Sequence, residues 1–217
     1  MTTQRTSQTQ HAVARALLDI GAVGFRIQQP ITFKSGILSP VYVDNRIFPS
    51  FPNEWQTVIN GFVELIHEKQ IEFDMFAGIE TAGIPHSAVL GYIMKKPSVF
   101  IRKKTKDHGT KKMIEGGNSD GKTVLLIEDL VTTGGSSMHG VNTLRENNAA
   151  VNDCLVIVSY GFSDSVEAFA SAHVNLHSLT TFPIILEEAF KQKIITQKEK
   201  ETVEEWLQNP WQWGKTQ

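Results

Sequence analysis

An α/β fold, with a mainly parallel central sheet flanked by helices and a small N-terminal flap, is the class this sequence predicts. Three observations carry it. From residue 52 onward, apolar runs of strand length alternate with segments of helical periodicity. Those runs are continuously apolar, as strands covered on both faces of a parallel sheet are. Residues 27–46, by contrast, are interrupted by Pro30, Gly36 and Pro40 and read as short extended pieces.

In order, Ala12 to Ile20 reads as a short helix stopped at Gly21. Residues 1–50 form the flap, or hood, and residues 51–217 the core, together a single domain of 217 residues. Pro52 opens a long amphipathic helix with Trp55, Val58, Ile59, Phe62, Val63 and Ile66 at helical spacing; proline suits a first turn, where its missing N–H has no partner to lose. Met75 to Ile79 is a buried strand, Ile84 to Met94 a helix, and Val99 to Arg102 a strand. Thr123 to Ile127 is a strand, Ser136 to Glu146 a helix, Cys154 to Ser159 a strand and Ser165 to Ala172 a helix. Lys198 to Leu207 closes the series as a helix before a polar, Trp-containing tail.

Composition removes several function classes. With 21 Lys and Arg against 23 Asp and Glu, the net charge is −2, and no basic excess exists to displace counterions from nucleic acid. Cys154 is the single cysteine, so one chain can form neither a disulfide framework nor a Cys-based zinc site. Met1 to Gln10 is polar, unlike a secretion signal, and no apolar run approaches the roughly 18 residues of a membrane span. A cytoplasmic protein without membrane or nucleic-acid partners is expected.

Ligands of such folds bind beyond the carboxyl ends of the strands, so the segments that follow them are the places to look for chemistry. The apolar run Thr123 to Ile127 leads into Glu128 and Asp129, then into a turn containing Thr132, Thr133, Gly134, Gly135, Ser136 and Ser137. Glycines expose successive backbone N–H groups and the following helix start adds partial positive charge, so the turn suits a phosphate. Two carboxylates beside it would repel that phosphate. A ligand with a phosphate at one end and vicinal hydroxyls a few ångströms away resolves the conflict, and ribose 5-phosphate has that layout. The plainer reading of Ser136 is an ordinary helix cap.

A second segment, Arg102 to Gly117, concentrates Lys103, Lys104, Lys106, Lys111 and Lys112 with His108 in an otherwise neutral protein. So long a polar connection inside a compact domain reads as a mobile lid, here residues 103–118, unless it is a solvated charge run. Cations brought over a departing pyrophosphate would neutralise it, and closure would exclude water.

Val124 to Ser137 resembles the ribose-phosphate signature of the type I phosphoribosyltransferases, and Lys103-Lys-Thr-Lys106-Asp-His108-Gly narrows the resemblance to the orotate phosphoribosyltransferases. Phe33 to Arg46 is similar to that family's Lys-Ser-Gly…Ser-Pro segment, and Gly78 to Pro85 to its pyrophosphate loop. The resemblance implies transfer of the phosphoribosyl group from 5-phospho-α-D-ribose 1-diphosphate (PRPP) to orotate, with release of pyrophosphate. It implies catalytic roles for Lys106, His108 and Asp129. It implies PRPP contacts from Arg102, Lys103, Lys106, His108, Glu128, Asp129, Leu130, Val131, Thr132, Thr133, Gly134, Gly135 and Ser136. For orotate it points to Thr132, with Lys34 or Arg46 offered to the carboxylate and Tyr42 to the ring. Mg²⁺ is expected on substrate oxygens rather than on side chains. A homodimer sharing the lid across subunits is likewise implied.

The chain departs from many members at Ala82, where they carry Lys, and at Ser159-Tyr160-Gly161-Phe162, where they carry an orotate-contacting Arg. A phosphoribosyltransferase for another base, and a non-catalytic sensor of the diphosphate sugar, are the alternatives. Elsewhere, His173 and His177 share i, i+4 spacing without an acid to complete a metal site and read as packing. His86 reads as a helix-start residue, and Glu187 with Glu188 as a solvated helix face.

Overall fold

The computed structural model describes residues 2–104 and 112–214, with side chains from Ser7 onward. The hood begins with α1 (Thr2–Asp19), which starts well before the expected Ala12 because nothing in the preceding Thr, Gln and Ser run breaks a helix. Four short strands follow: β1 (Val23–Phe25), β2 (Ile31–Thr32), β3 (Leu38–Ser39) and β4 (Val41–Val43). They pair as two antiparallel ribbons, β1 with β4 and β2 with β3, and a 3-10 turn over Asn45–Ser50 leads into the core.

The core contains α2 (Pro52–Glu68), β5 (Met75–Ile79), α3 (Gly83–Met94), β6 (Ser98–Ile101), β7 (Ile114–Glu115) and β8 (Val124–Val131). It continues with α4 (Gly135–Glu146), β9 (Asp153–Ser159), α5 (Ser163–Ser171), β10 (Asn175–Thr181), α6 (Phe182–Lys191) and α7 (Gln197–Gln208). One six-stranded sheet runs β10-β9-β8-β5-β6-β7, parallel except for β7.

Period-two alternation splits the core into two layers. Phe76, Leu125, Ile127, Leu155 and Ile157 face a cluster built with α1, α2, α6, α7 and the hood. Ala77, Leu126, Cys154 and Val156 face the opposite cluster, with Val141 and Leu144 of α4 and Phe169 of α5. No helix among the described residues is long and apolar enough to cross a membrane.

Several expectations need correction. The strand expected to stop at Ile127 runs on to Val131, so Glu128 and Asp129 lie inside β8 rather than after it. Its pairing with β9 continues to Val131↔Ser159, which keeps the backbone extended through the two acids. The polar edge strand β10 was not anticipated. His177 sits on it and lies 2.7 Å from Asp153 Oδ1, while His173 is in the turn after α5, so the pair share no helix face and an acid does stand nearby. Among the described residues, no His, Cys, Asp or Glu cluster of three could hold a metal.

Glu188 is not solvated. It is 6% exposed and is engaged by His11 at 2.8 Å and Arg15 at 3.4 Å from α1, and by Lys191 at 3.4 Å, whereas Glu187 is exposed and pairs with Lys191. His86 lies in the first turn of α3 as expected, but it is fully buried and its Nδ1 accepts a hydrogen bond from Trp55 Nε1 at 2.9 Å. Burial pushes its pKa down to about 4.

Trp206 of α7 fastens the hood to the core. It is completely buried, donates from Nε1 to the Leu38 carbonyl at 2.9 Å, and meets Phe33, Tyr160 and Phe162 edge-on at 5.4–6.1 Å. Trp206→Ala should therefore cost about 3–5 kcal/mol of unfolding free energy in urea titration, the range for emptying a large aromatic site. A loss below about 1 kcal/mol, the size of a surface substitution, would contradict this role.

Candidate functional site

Strand order reverses between β5 and β8. From β5 the chain moves to β6 on one side, then returns to place β8 on the other. Crevices beyond the carboxyl ends of strands at such a reversal are where ligands bind in open α/β sheets. Here β8 outruns its neighbour: pairing with β5 ends at Gly78↔Ile127, while pairing with β9 continues four residues further, to Val131. The overhanging Glu128 to Val131 thus has one side without a β5 partner.

A cavity of about 240 Å³ opens at this overhang. The hood contributes Tyr42, Val43, Asp44 and Arg46, the turn after β5 Glu80, Thr81 and Ala82, and the lid root Lys103. Glu128, Asp129 and Leu130 of β8 and Ser136 of α4 complete the wall. Within the turn after β5 the Glu80–Thr81 peptide is cis. Gly83 is required there, since a Cβ would stand 2.5 Å from the Ile127 carbonyl oxygen and α3 could not start so close to β8.

Alternation along β8 directs its two acids to different sides. Glu128 continues the row of Val124 and Leu126, and is only 4% exposed, with Oε1 accepting from the Asp129 N–H at 3.3 Å and Oε2 lacking a partner among the described residues. Burial, reinforced by the neighbouring Asp129 charge, pushes its pKa well above the ordinary carboxylate range, and Lys103 opposes this. Asp129 continues the row of Leu125 and Ile127 towards the hood, where Asn45 Nδ2 donates to its carbonyl at 3.0 Å and lies 3.5 Å from its Oδ2.

The turn Thr132–Gly134 leads directly into α4, whose cap residue Gly134 has φ 84° and supplies no side-chain hydrogen bond. The first amides of α4 are therefore uncapped beside the cavity, an arrangement suited to an anion. Ser136, read from sequence as a plausible cap, instead lies on the cavity wall. Val131, Thr132, Thr133, Gly134 and Gly135 join the acids to Ser136 along the chain but do not border this cavity.

Of the residues expected near the base, Tyr42 and Arg46 reach the cavity and Lys34 does not; it is exposed in the loop between β2 and β3. Arg46 is already engaged: Nε and Nη2 donate to Asp44 Oδ1 at 2.6 Å and Oδ2 at 2.7 Å, and Nη2 also donates to Tyr42 Oη at 2.8 Å.

Lys103 lies on the wall and its N–H donates to Glu80 Oε2 at 2.8 Å. Arg102, expected as a diphosphate ligand, stands outside the cavity, with Nη1 3.3 Å from Glu115 of β7 and Nε donating to the Lys104 carbonyl at 3.2 Å. Its backbone N–H donates to the Met113 carbonyl at 2.9 Å, continuing the β6–β7 pairing. Lys106 and His108 lie outside the described residues. Asp44, Asn45 and Glu80 were not singled out from sequence, although the adjacent polar triplet Asp44-Asn45-Arg46 in an otherwise apolar stretch was a visible signal.

The raised Glu128 pKa has a checkable sign. Below about pH 4.3, the ordinary glutamate value, both folded and unfolded states hold the proton. As pH rises, the unfolded chain ionises first and stability is lost until the folded-state pKa is passed. Glu128→Gln should thus raise the melting temperature above about pH 5, by an amount that grows with pH and vanishes at low pH. A variant less stable than the parent at pH 8 would contradict the assignment.

Comparisons with known proteins show what the chain is similar to. The sequence profile of the phosphoribosyl transferase domain matches residues 53–162. The chain is 37% identical over 201 residues to an orotate phosphoribosyltransferase of Coxiella burnetii, covering 93% of this chain and 96% of that one. It is 39% identical over 203 residues to one of Listeria monocytogenes, covering 94% and 97%. Among solved structures, the orotate phosphoribosyltransferase of Aeropyrum pernix superposes with a TM-score of 0.73 at 28% identity, over 82% of this chain and 98% of that one. Leishmania donovani UMP synthase superposes at 0.80 and 25% identity over 92% of this chain, which spans 42% of that longer protein.

Proposed function

The chain belongs to the orotate phosphoribosyltransferases of the phosphoribosyl transferase family, and from that membership we infer that it transfers the phosphoribosyl group of PRPP to orotate, forming orotidine 5′-phosphate and pyrophosphate in pyrimidine biosynthesis. The observation that carries the reading into this chain's own residues is the overhang of β8, where two acids and an uncapped helix start share one crevice.

In this reading Asp129 and Glu128 accept hydrogen bonds from the ribose hydroxyls, and the amides and hydroxyls of Thr132 to Ser137 hold the 5-phosphate. The two interactions are complementary because the ligand separates its anion from its hydroxyls. Tyr42 lies against the pyrimidine ring, and Arg46, aligned by Asp44, offers its guanidinium to the orotate carboxylate. As the bond from the anomeric carbon to the diphosphate breaks, positive charge develops on the sugar and negative charge on the leaving group. Lys103, Lys106 and His108 then neutralise the leaving group from the lid, in a site from which closure expels water. Their approach also favours ionisation of Glu128, as Lys103 does already. No protein nucleophile is required.

Mg²⁺ fits the oxygen-only chemistry of Glu128 and Asp129, and when carried on diphosphate and ribose oxygens it would supply further positive charge against the leaving group. A homodimer in which each lid covers the partner's site completes the reading, with both roots of the lid held by β6 and β7.

Spectrophotometric loss of orotate in the presence of PRPP and Mg²⁺ tests the assignment. Orotate should be consumed, and adenine, hypoxanthine and uracil left untouched; turnover of a purine instead would overturn the base assignment. Lys106→Ala should lower kcat about 10²–10³-fold, the scale for removing a charge-stabilising donor. Asp129→Asn should chiefly raise the KM for PRPP, and unchanged kinetics in both variants would refute these site assignments.

A further inference from the structure

Asn45 belongs to neither the phosphate turn nor the lid, yet it is completely buried and directed at Asp129. It follows Asp44, which caps the 3-10 turn by accepting from the Arg46 N–H at 3.1 Å, so its backbone is fixed on both sides by cavity-lining residues. Its Nδ2 donates to the Asp129 carbonyl at 3.0 Å. That carbonyl belongs to the overhang, beyond the last β5–β8 pair, Gly78↔Ile127. The same nitrogen is 3.5 Å from Asp129 Oδ2 and can steady the carboxylate.

The other half of the amide argues against simple filling. Asn45 Oδ1 is buried and has no hydrogen-bond partner among the described residues. A buried acceptor without a partner costs free energy that an apolar residue of equal size would avoid. Val43 and Phe48, 5% and 0% exposed, already pack this part of the hood into the core. What an apolar residue could not provide is the donor to Asp129.

We propose that Asn45 is a positioning residue that holds Asp129 in the orientation its carboxylate needs to receive the ribose hydroxyls, and so ties sugar binding to the seating of the hood. The proposal rests on the reading of Asp129 as the hydroxyl acceptor. A positioning residue acts through its partner, so its removal should be felt by one substrate and not the other, and should not add to loss of that partner.

Steady-state kinetics of Asn45→Leu and Asn45→Ala, with each substrate varied in turn, make the first test. The KM for PRPP should rise about tenfold while the KM for orotate stays within twofold. In an Asp129→Asn background, Asn45→Leu should change the PRPP KM less than twofold. Equal rises in both KM values, or effects that multiply in the double variant, would overturn the proposal.

The second test needs no variant. The Asn45 side-chain amide resonances of the intact protein should be protected from solvent exchange, shift on titration with ribose 5-phosphate, and stay unmoved with orotate alone. No response to ribose 5-phosphate would overturn the proposal even if the variants fail to fold. If the parent protein consumes no orotate, the base assignment fails, while this titration still decides the part played by Asn45.

Discussion

The unequal length of two neighbouring strands is the constraint on which the site depends. Because β8 continues past the end of β5, held on one side by β9, its two acids sit on extended backbone at the rim of a crevice. An extended strand sends adjacent side chains to opposite faces, so Glu128 and Asp129 never compete for one position. Glu128 turns into the α4 layer and is desolvated, while Asp129 turns towards the hood and is hydrogen-bonded. Had β8 ended at Ile127, both acids would have fallen in a turn with no such division.

Electrostatic tension follows from this geometry. A buried glutamate beside an aspartate is costly to ionise, and the first turn of α4 next to them presents uncapped amides. The crevice therefore sets acid side chains beside helix amides that can donate to an anion. A phosphorylated sugar resolves the tension with its anion against the amides and its hydroxyls against the acids. Stability given up at Glu128 is the local cost of a preorganised site. Rigid support comes from far along the chain, with Trp206 on the Leu38 carbonyl and His11 and Arg15 on Glu188 fixing the hood against α6 and α7.

Much of this was legible in sequence, for a physical reason. Strands buried on both faces must be continuously apolar, so β5, β8 and β9 announced themselves, and the acids, hydroxyls and glycines after the apolar run of β8 marked the crevice. β10 escaped because Asn175 to Thr181 is an edge strand with a polar pattern. Glu188 was misjudged because two of its partners, His11 and Arg15, lie on α1, up to 177 residues away. The Asn45–Asp129 contact spans 84 residues and has no local signature. Arg102 looked like a ligand within a basic run, and only the pairing of β6 with β7 shows that its charge is met by Glu115. Lys34 and Arg46 were equivalent cations in sequence until β4 carried Arg46 to the cavity and the β2–β3 loop left Lys34 exposed.

A crystal structure of the protein with ribose 5-phosphate is the most direct test of the central claim. The account predicts the sugar hydroxyls within about 2.6–3.0 Å of the Asp129 carboxylate, with the phosphate against the first amides of α4. A sugar phosphate bound in the reverse orientation, or bound away from the β8 overhang, would contradict it.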